Sequence, residues 1–396
     1  MMRSRRWAVA AQLAVMCFAV AGCSSTTSAT SPTSTASTDA ATSTTSAAEP
    51  GLLFPDQAVL PVMVYVNGVV YDLAETPARQ VAHIGQSALP YAGSPIATEH
   101  GLLAATGAGY DATLLLYPGD ARDPLVLAHG VGSFALSEDG SRLAWAEPFQ
   151  GPSGDAVETT RLVEAEFPSG RVIHSMTFLG FNLLDSTTTP RGFADVVAYV
   201  GDNVLVMTGD GAAATAAVWI PAADEVAAAL HYNTGGTGNS AGGRVVLWQN
   251  DGSCGQLVSI AADGSVVPRG ERLGNDGVGC WASEAATFSP DGSMIASAGT
   301  DGEAGPPILL LTASSGGREL ARVAIPGFSG GYFQPYTIEW LDNETLVLLA
   351  TEGSTASWAL PWSIHRCDTQ ALACDLAQSI AFSPTGFYQV ALVAAP

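Results

Sequence analysis

A strand–turn–strand unit that recurs along the chain limits its fold more than any other feature. Phe134-Ala-Leu-Ser-Glu-Asp-Gly-Ser-Arg-Leu-Ala-Trp-Ala146 parallels Ala286-Thr-Phe-Ser-Pro-Asp-Gly-Ser-Met-Ile-Ala-Ser-Ala298. A third copy starts at Ile380-Ala-Phe-Ser-Pro-Thr-Gly386 and continues into Tyr388-Gln-Val-Ala-Leu-Val393. Fainter copies place a polar turn before Leu102, Val204, Arg244 and Glu344. The turns end at Gly101, Gly140, Asn203, Gly243, Gly292, Asn343 and Gly386. All are Gly or Asn, the residues that tolerate positive φ in a hairpin turn. A spacing of about 45 residues with strand–turn–strand units is the signature of a β-propeller blade.

The rest of the body agrees. Short apolar runs such as Val62–Val66, Leu114–Tyr117, Arg244–Trp248 and Leu346–Leu349 are bounded by Gly, Asp, Asn and Pro, which reads as strand. Only Ala222–Leu230 has the makings of a helical turn or two. The absence of alternating β and α signals excludes Rossmann and barrel folds. The expectation is an all-β chain, a single β-propeller of seven blades, with six or eight left open by the fainter copies. The last turn has one strand after it and the first strands have no turn before them. The ends should therefore share a blade, inner strands from the C-terminus and outer ones from the N-terminus, which removes exposed sheet edges. The widest interval between turns holds a polar insert, Pro148–Thr160.

Ser-Pro-Asp-Gly at 289–292, Ser-Glu-Asp-Gly at 137–140 and Ser-Pro-Thr-Gly at 383–386 resemble the WD40-like repeat of TolB-type propellers, over essentially all of 51–396. Many actinobacterial envelope lipoproteins carry such domains. The resemblance implies the fold and, from TolB, a scaffold that binds partner proteins. TolB has an extra N-terminal domain and no lipid, so its own partners are not carried over.

The N-terminus reads as an address. Arg3, Arg5 and Arg6 precede an apolar run from Trp7 to Val20 broken only by Gln12, the pattern of a secretory signal. The run is short for a membrane span, which needs roughly 20 residues. Val20-Ala21-Gly22-Cys23 resembles the bacterial lipobox, which implies cleavage after residue 22 and a lipid on Cys23. A diacylglyceryl cysteine supplies the two chains that stable anchoring takes. Ser4-Arg5-Arg6 leaves the general and twin-arginine export routes both open. The Ser/Thr-rich stretch that follows cannot bury enough apolar surface to offset the entropy of ordering it. The domain reading is a signal peptide over 1–22, a lipidated stalk over 23–50 and the propeller over 51–396.

The formal charge is −22, although charged residues are only 13 % of the chain. The imbalance arises because every basic residue is Arg. An acidic domain of this kind argues against nucleic acid and against flat docking on anionic lipid. Of six cysteines, Cys17 leaves with the signal and Cys23 carries the lipid. Cys254, Cys280, Cys367 and Cys374 remain, an even number that in an exported chain reads as two disulfides. Proximity favours Cys254–Cys280 and Cys367–Cys374. Neither spacing fits a zinc site, which takes paired cysteines two to four residues apart.

Catalytic patterns are weak. Gly238-Asn-Ser240-Ala-Gly242 and Gly327-Phe-Ser329-Gly-Gly331 match G-x-S-x-G, but neither leads into the helix that a nucleophile elbow needs. Gly107-Ala-Gly109-Tyr-Asp-Ala112 imitates a dinucleotide loop and leads into a strand. The six histidines are scattered. Asp139 and Asp291 sit in blade turns, where Asp accepts backbone N–H bonds. Trp145, Trp248 and Trp340 read as packing. No catalytic, cofactor or metal residue is assigned. The expected function is a non-catalytic, lipid-anchored scaffold on the extracytoplasmic face that binds an envelope protein. The alternative is a glycan- or ligand-binding protein, or a hydrolase of envelope carbohydrate.

Overall fold

A computed structural model of the chain describes residues 59–84, 94–107, 112–119, 123–150, 157–179, 193–208, 215–229, 232–233, 238–249, 255–273, 282–300, 305–328, 332–353, 362–380 and 390–393. These form seven four-stranded antiparallel sheets, a seven-bladed propeller. Blade 2 comprises β4 (Ile96–Thr98), β5 (Gly101–Thr106), β6 (Ala112–Tyr117) and β7 (Leu125–Val131). Blade 3 comprises β8 (Ser133–Leu136), β9 (Arg142–Gln150), β10 (Val157–Glu166) and β11 (Val172–Phe178). Blade 4 comprises β12 (Ala194–Val200), β13 (Asn203–Thr208), β14 (Thr215–Ile220) and β15 (Glu225–Ala229). Blade 5 comprises β16 (Tyr232–Asn233), β17 (Arg244–Gln249), β18 (Gly255–Ile260) and β19 (Val266–Arg272). Blade 6 comprises β20 (Ala282–Phe288), β21 (Met294–Thr300), β22 (Pro307–Ala313) and β23 (Glu319–Ala324). Blade 7 comprises β24 (Tyr332–Trp340), β25 (Thr345–Gly353), β26 (Trp362–Asp368) and β27 (Ala373–Ile380).

Blade 1 closes the ring. Its strands β1 (Met63–Val66), β2 (Val69–Asp72) and β3 (Arg79–His83) come from the N-terminal side, and β28 (Val390–Leu392) completes it. Strand β28 pairs with β1 through Val64↔Leu392 and Val66↔Val390. The sharing of one blade agrees with the sequence. Among the described residues one inner strand comes from the C-terminal side and three outer ones from the N-terminal side. Ile380 ends β27, so Gly386 lies in the connection from blade 7 to blade 1, outside the described residues.

The middle strands of each blade are buried on both faces, while outer strands such as β11 and β23 stay largely exposed. The apolar residues gather into clusters that each join two neighbouring blades. Leu114 and Trp145 meet between blades 2 and 3, Leu162 and Trp219 between 3 and 4, and Val218 and Leu247 between 4 and 5. Leu257 and Phe288 follow between 5 and 6, Leu309 and Leu348 between 6 and 7, Val64 and Ile364 between 7 and 1, and Val70 and Leu102 between 1 and 2. With both faces covered, strands such as Ala216–Ile220 are buried throughout and lose the polar alternation of a one-sided sheet. Each large side chain buried in this way contributes about 1.5–3 kcal/mol.

Two local expectations change. The helical stretch expected over Ala222–Leu230 shortens to one 3-10 turn at Pro221–Ala223, which ends on Asp224 in the left-handed region, and β15 follows; Leu230 lies outside the described residues. Asn203 and Asn343 do not supply the positive φ of their turns. Gly201, at φ +63°, does so before β13, and the side chains of the two asparagines reach into neighbouring blades.

Candidate functional site at the loop-bearing face

Antiparallel connectivity gives the ring two unlike ends. At one end the connections from first to second strand are short, at 99–100, 137–141, 201–202, 289–293 and 341–344. Those from third to fourth strand, such as 167–171, 221–224 and 369–372, emerge there too. The opposite end carries 84–95, 179–193, 273–281, 325–331 and 381–389 between blades, and 151–156, 209–214, 301–306 and 354–361 within them. Most of those longer connections fall outside the described residues. Strand β1 begins at the short-turn end. There Leu60 and Val62 bond to Leu73 ahead of it, so the described chain enters the ring at that end.

The short-turn end is a structural clamp. Ser137 Oγ donates to Asp139 Oδ1 at 2.7 Å, and the Ser141 amide at 3.0 Å. Ser289 and the Ser293 amide repeat this around Asp291 at 2.7 and 2.9 Å. Donation from Ser137, then from Ser141, holds the Asp139 carboxyl down at about 2. Charged-form hydrogen bonding of this kind depresses an acid without any catalytic role. Beyond each turn a side chain reaches the next blade. Arg142 Nη2 lies 2.8 Å from Asp202 Oδ1, and Asn203 Nδ2 donates to the Ala261 carbonyl at 2.9 Å. Arg244 donates to the carbonyls of Ser314 and Gly292 at 3.0 and 3.1 Å. The Asp291 amide donates to Asn343 Oδ1 at 3.0 Å.

Polar groups with other possibilities stand toward the loop-bearing end. Asp195 opens the inner strand of blade 4 at 7 % exposure. Burial pushes its carboxyl up to about 6, against a hydrogen bond from Ser133. Beside it, Ser133 Oγ accepts from the Val196 amide at 2.6 Å, and Thr160 Oγ1 accepts from the Ala194 amide at 3.1 Å. Blade 3 overhangs here: β8 ends its pairing at Ser133↔Ala146, while β9 and β10 pair onward through Phe149↔Thr159. The polar insert is therefore an extended hairpin, of which 151–156 lie outside the described residues. Trp145, Glu147 and Phe149 alternate onto one side of the overhang, with Arg161 and Thr159 opposite. Trp145 Nε1 donates to Glu147 Oε1 at 2.8 Å and Arg161 Nη1 to Oε2 at 3.1 Å. Phe149 is 61 % exposed and Leu179, at the end of β11, 64 %.

Of the residues singled out in the sequence, Trp145 and Trp340 are buried packing residues, and Trp248 packs part-buried between blades 5 and 6. Gly107–Ala112 falls between the antiparallel pair β5 and β6, with 108–111 outside the described residues. Cys367 and Cys374 form a disulfide with Cα atoms 4.0 Å apart. Cys23, Cys254, Cys280, Ser329 and His231 lie outside the described residues. Among the described residues, no three His, Cys, Asp or Glu side chains gather as a metal site would require. Asp195, Glu147, Arg161 and Phe149 belong to no motif, and only the fold brings them to one end.

No protein-family model and no curated protein sequence matches the chain. Among solved structures it is similar to TolB from Acinetobacter baumannii, at 11 % identity over 82 % of this chain and 78 % of that one, with a TM-score of 0.41. It is also similar to the β-propeller domain of the Trilobed protease from Pyrococcus furiosus, at 12 % identity over 76 % and 85 %, TM-score 0.45. Against the acylaminoacyl peptidase of Pyrococcus horikoshii, at 13 % identity and TM-score 0.46, it covers 78 % of itself but spans about half the length of that protein, 47 %. The class defined by the strands is a seven-bladed antiparallel β-propeller closed between its two ends.

Proposed function

We propose that this chain is a lipid-tethered, extracytoplasmic propeller that presents its loop-bearing face to another envelope protein and carries out no catalysis. The observation that supports this most is the polarity of the ring. The described chain enters the ring at the short-turn end, and in this reading a tether acting through that entry leaves the loop-bearing end to face a partner. Loops held on a rigid scaffold are where binding residues concentrate. The short-turn end, by contrast, spends its side chains on inter-blade bonds. In-cell crosslinking followed by affinity capture tests the reading: a discrete protein should be recovered reproducibly over a Cys23→Ala control. Recovery of none, or equal recovery from the control, contradicts it.

A ligand-binding or hydrolytic alternative draws on one observation, the buried Asp195 carboxyl held near 6, since raised carboxyls gather at functional sites. Glycoside hydrolysis would require a second carboxylate across the bond. Loss of a bound glycan on Asp195→Asn, with folding intact, would favour this alternative.

A further inference from the structure

The outer strand of each blade has no described strand on its far edge, which leaves a row of main-chain N–H and C=O groups open to pairing with another chain. Most of these edges carry the devices that discourage such pairing. Strand β3 has Arg79 and a bulge, β15 has Glu225, and β19 has Pro268, Arg269 and a bulge. Strands β23 and β27 each combine a bulge with charge, Glu319 in one and Asp375 in the other. Strand β7 is uncharged but shifts register twice. Strand β11, Val172-Ile-His-Ser-Met-Thr-Phe178, differs from all of these: it holds no Asp, Glu, Lys, Arg or Pro. Its bulge lies at its start, and His174–Phe178 then pair in unbroken register with Glu164–Thr160.

The hairpin shows which groups face outward. The Glu166 amide donates to the Arg171 carbonyl at 2.9 Å, toward β11, while the Phe167 amide donates to the Ser141 carbonyl at 2.9 Å, ahead of β9. Antiparallel bonding alternates along a strand, so Glu164, Leu162 and Thr160 bond toward β11, and Val163 and Arg161 toward β9. Opposite Val163 and Arg161 stand Ser175 and Thr177, which therefore turn their own N–H and C=O to the open edge. Both residues are exposed. The 3-10 turn Pro221–Ala223 approaches β11 from the short-turn end, and the edge runs on to exposed Leu179 at the loop-bearing end.

We propose that β11 is a docking edge onto which an extended peptide segment of a partner protein adds as a further strand of blade 3. Main-chain bonds to Ser175 and Thr177 hold the segment, as in other cases of strand addition. The uncharged edge fits a segment that is itself uncharged where it pairs. Charge decides between occupants. A second copy of this chain brings the same formal charge of −22 and is repelled, whereas a segment flanked by Lys or Arg is attracted. The occupant is therefore a neutral, β-prone stretch with basic flanks. The edge lies on the outer wall of the ring and does not depend on what the loop-bearing face binds.

A fluorescent synthetic peptide that alternates Val and Thr between terminal lysines is the probe, titrated into the full chain by anisotropy. Saturable binding is expected. Pro is tolerated at an edge where its missing N–H would face solvent. Thr177→Pro should therefore leave the melting transition in place and weaken binding by about tenfold, the effect of losing a main-chain bond. Thr177→Lys keeps the N–H but sets a cation on the edge, and should weaken binding even if the proline variant fails to fold. Amide exchange at Ser175 and Thr177 should slow on binding, while Met176, already bonded to β10, should not change. Absence of saturable binding overturns the proposal. So does equal affinity in the unsubstituted chain and the folded variants, which would mean that a cationic peptide merely coats an acidic surface. Dimerisation of the chain that Thr177→Pro abolishes would put a second copy on the edge and overturn the choice of occupant.

Discussion

The Tyr199 hydroxyl of blade 4 donates to Glu164 Oε1 of blade 3 at 3.1 Å, across the blade boundary, onto a carboxylate only 2 % exposed. Arg142 adds a contact at 3.5 Å to the same oxygen and stands 5.6 Å over the Tyr199 ring. Burial, then the Glu164 charge, pushes the phenol upward, which keeps it a donor.

Tyr199→Phe should remove the short partner of a buried carboxylate and destabilise the ring by about 1–3 kcal/mol. Glu164→Gln, which leaves an acceptor for Tyr199 but no charge beside Arg142, should differ from it in sign or size. Chemical denaturation of both variants and the double variant gives the coupling. Additive losses would mean that the bond contributes nothing of its own.

Two buried groups should give opposite pH dependence. Burial lowers His365 from 6.5 to about 4, so the unfolded chain binds the extra proton, and His365 makes stability rise with pH between about 4 and 6.5. Asp195, raised from 3.8 to about 6, has the reverse sign: the folded chain holds the proton, and stability falls as pH rises through that window. Relative to the unsubstituted chain, His365→Gln should gain stability toward pH 4 and Asp195→Asn toward pH 7. Denaturation midpoints across pH 4–7.5 check this, and parallel profiles would show that neither group carries the linkage.

The seven blades were legible because one turn chemistry repeats. Ser137–Asp139 and Ser289–Asp291 each satisfy a hairpin locally, so the pattern survives in sequence. Closure was half legible, because the strand after Gly386 reads the same whether it is first or second in its blade. Partners remote in sequence decide that. The same holds for the ends of the ring: Glu138 and Ser240 meet across 102 residues, and no local signal marks either. Asn203 and Asn343 were read as turn residues by type, whereas their amides bond to other blades.

Replacing Cys367 and Cys374 together by Ser should cost roughly 2–3 kcal/mol, the loop-entropy value for so short a closed segment. Both side chains are buried, so part of the loss will reflect packing. Peptide mapping without reduction should recover the Cys367–Cys374 peptide pair. It should also recover Cys254 with Cys280, the second pairing expected from sequence. Free thiols at those two positions would remove it.

Gly270 belongs to β19 at φ +71°, and a Cβ there would lie 1.9 Å from the Gly316 carbonyl oxygen of blade 6. Gly270→Ala should therefore part blades 5 and 6 and cost more than about 2 kcal/mol. Ala at Gly119, which has open space around it, serves as the tolerant control in a thermal melt. Equal melting points would contradict the close approach.

The polarity of the ring is tested most directly by photo-crosslinking in cells from two single positions. One is Phe149 on the loop-bearing overhang, and the other is Asp224 in a short turn at the opposite end. A discrete adduct from position 149 alone, lost when Cys23 is replaced by Ala, is the expected result. An adduct of equal yield from position 224, or one from position 149 that persists without Cys23, would contradict a tethered ring that works through its loop-bearing face.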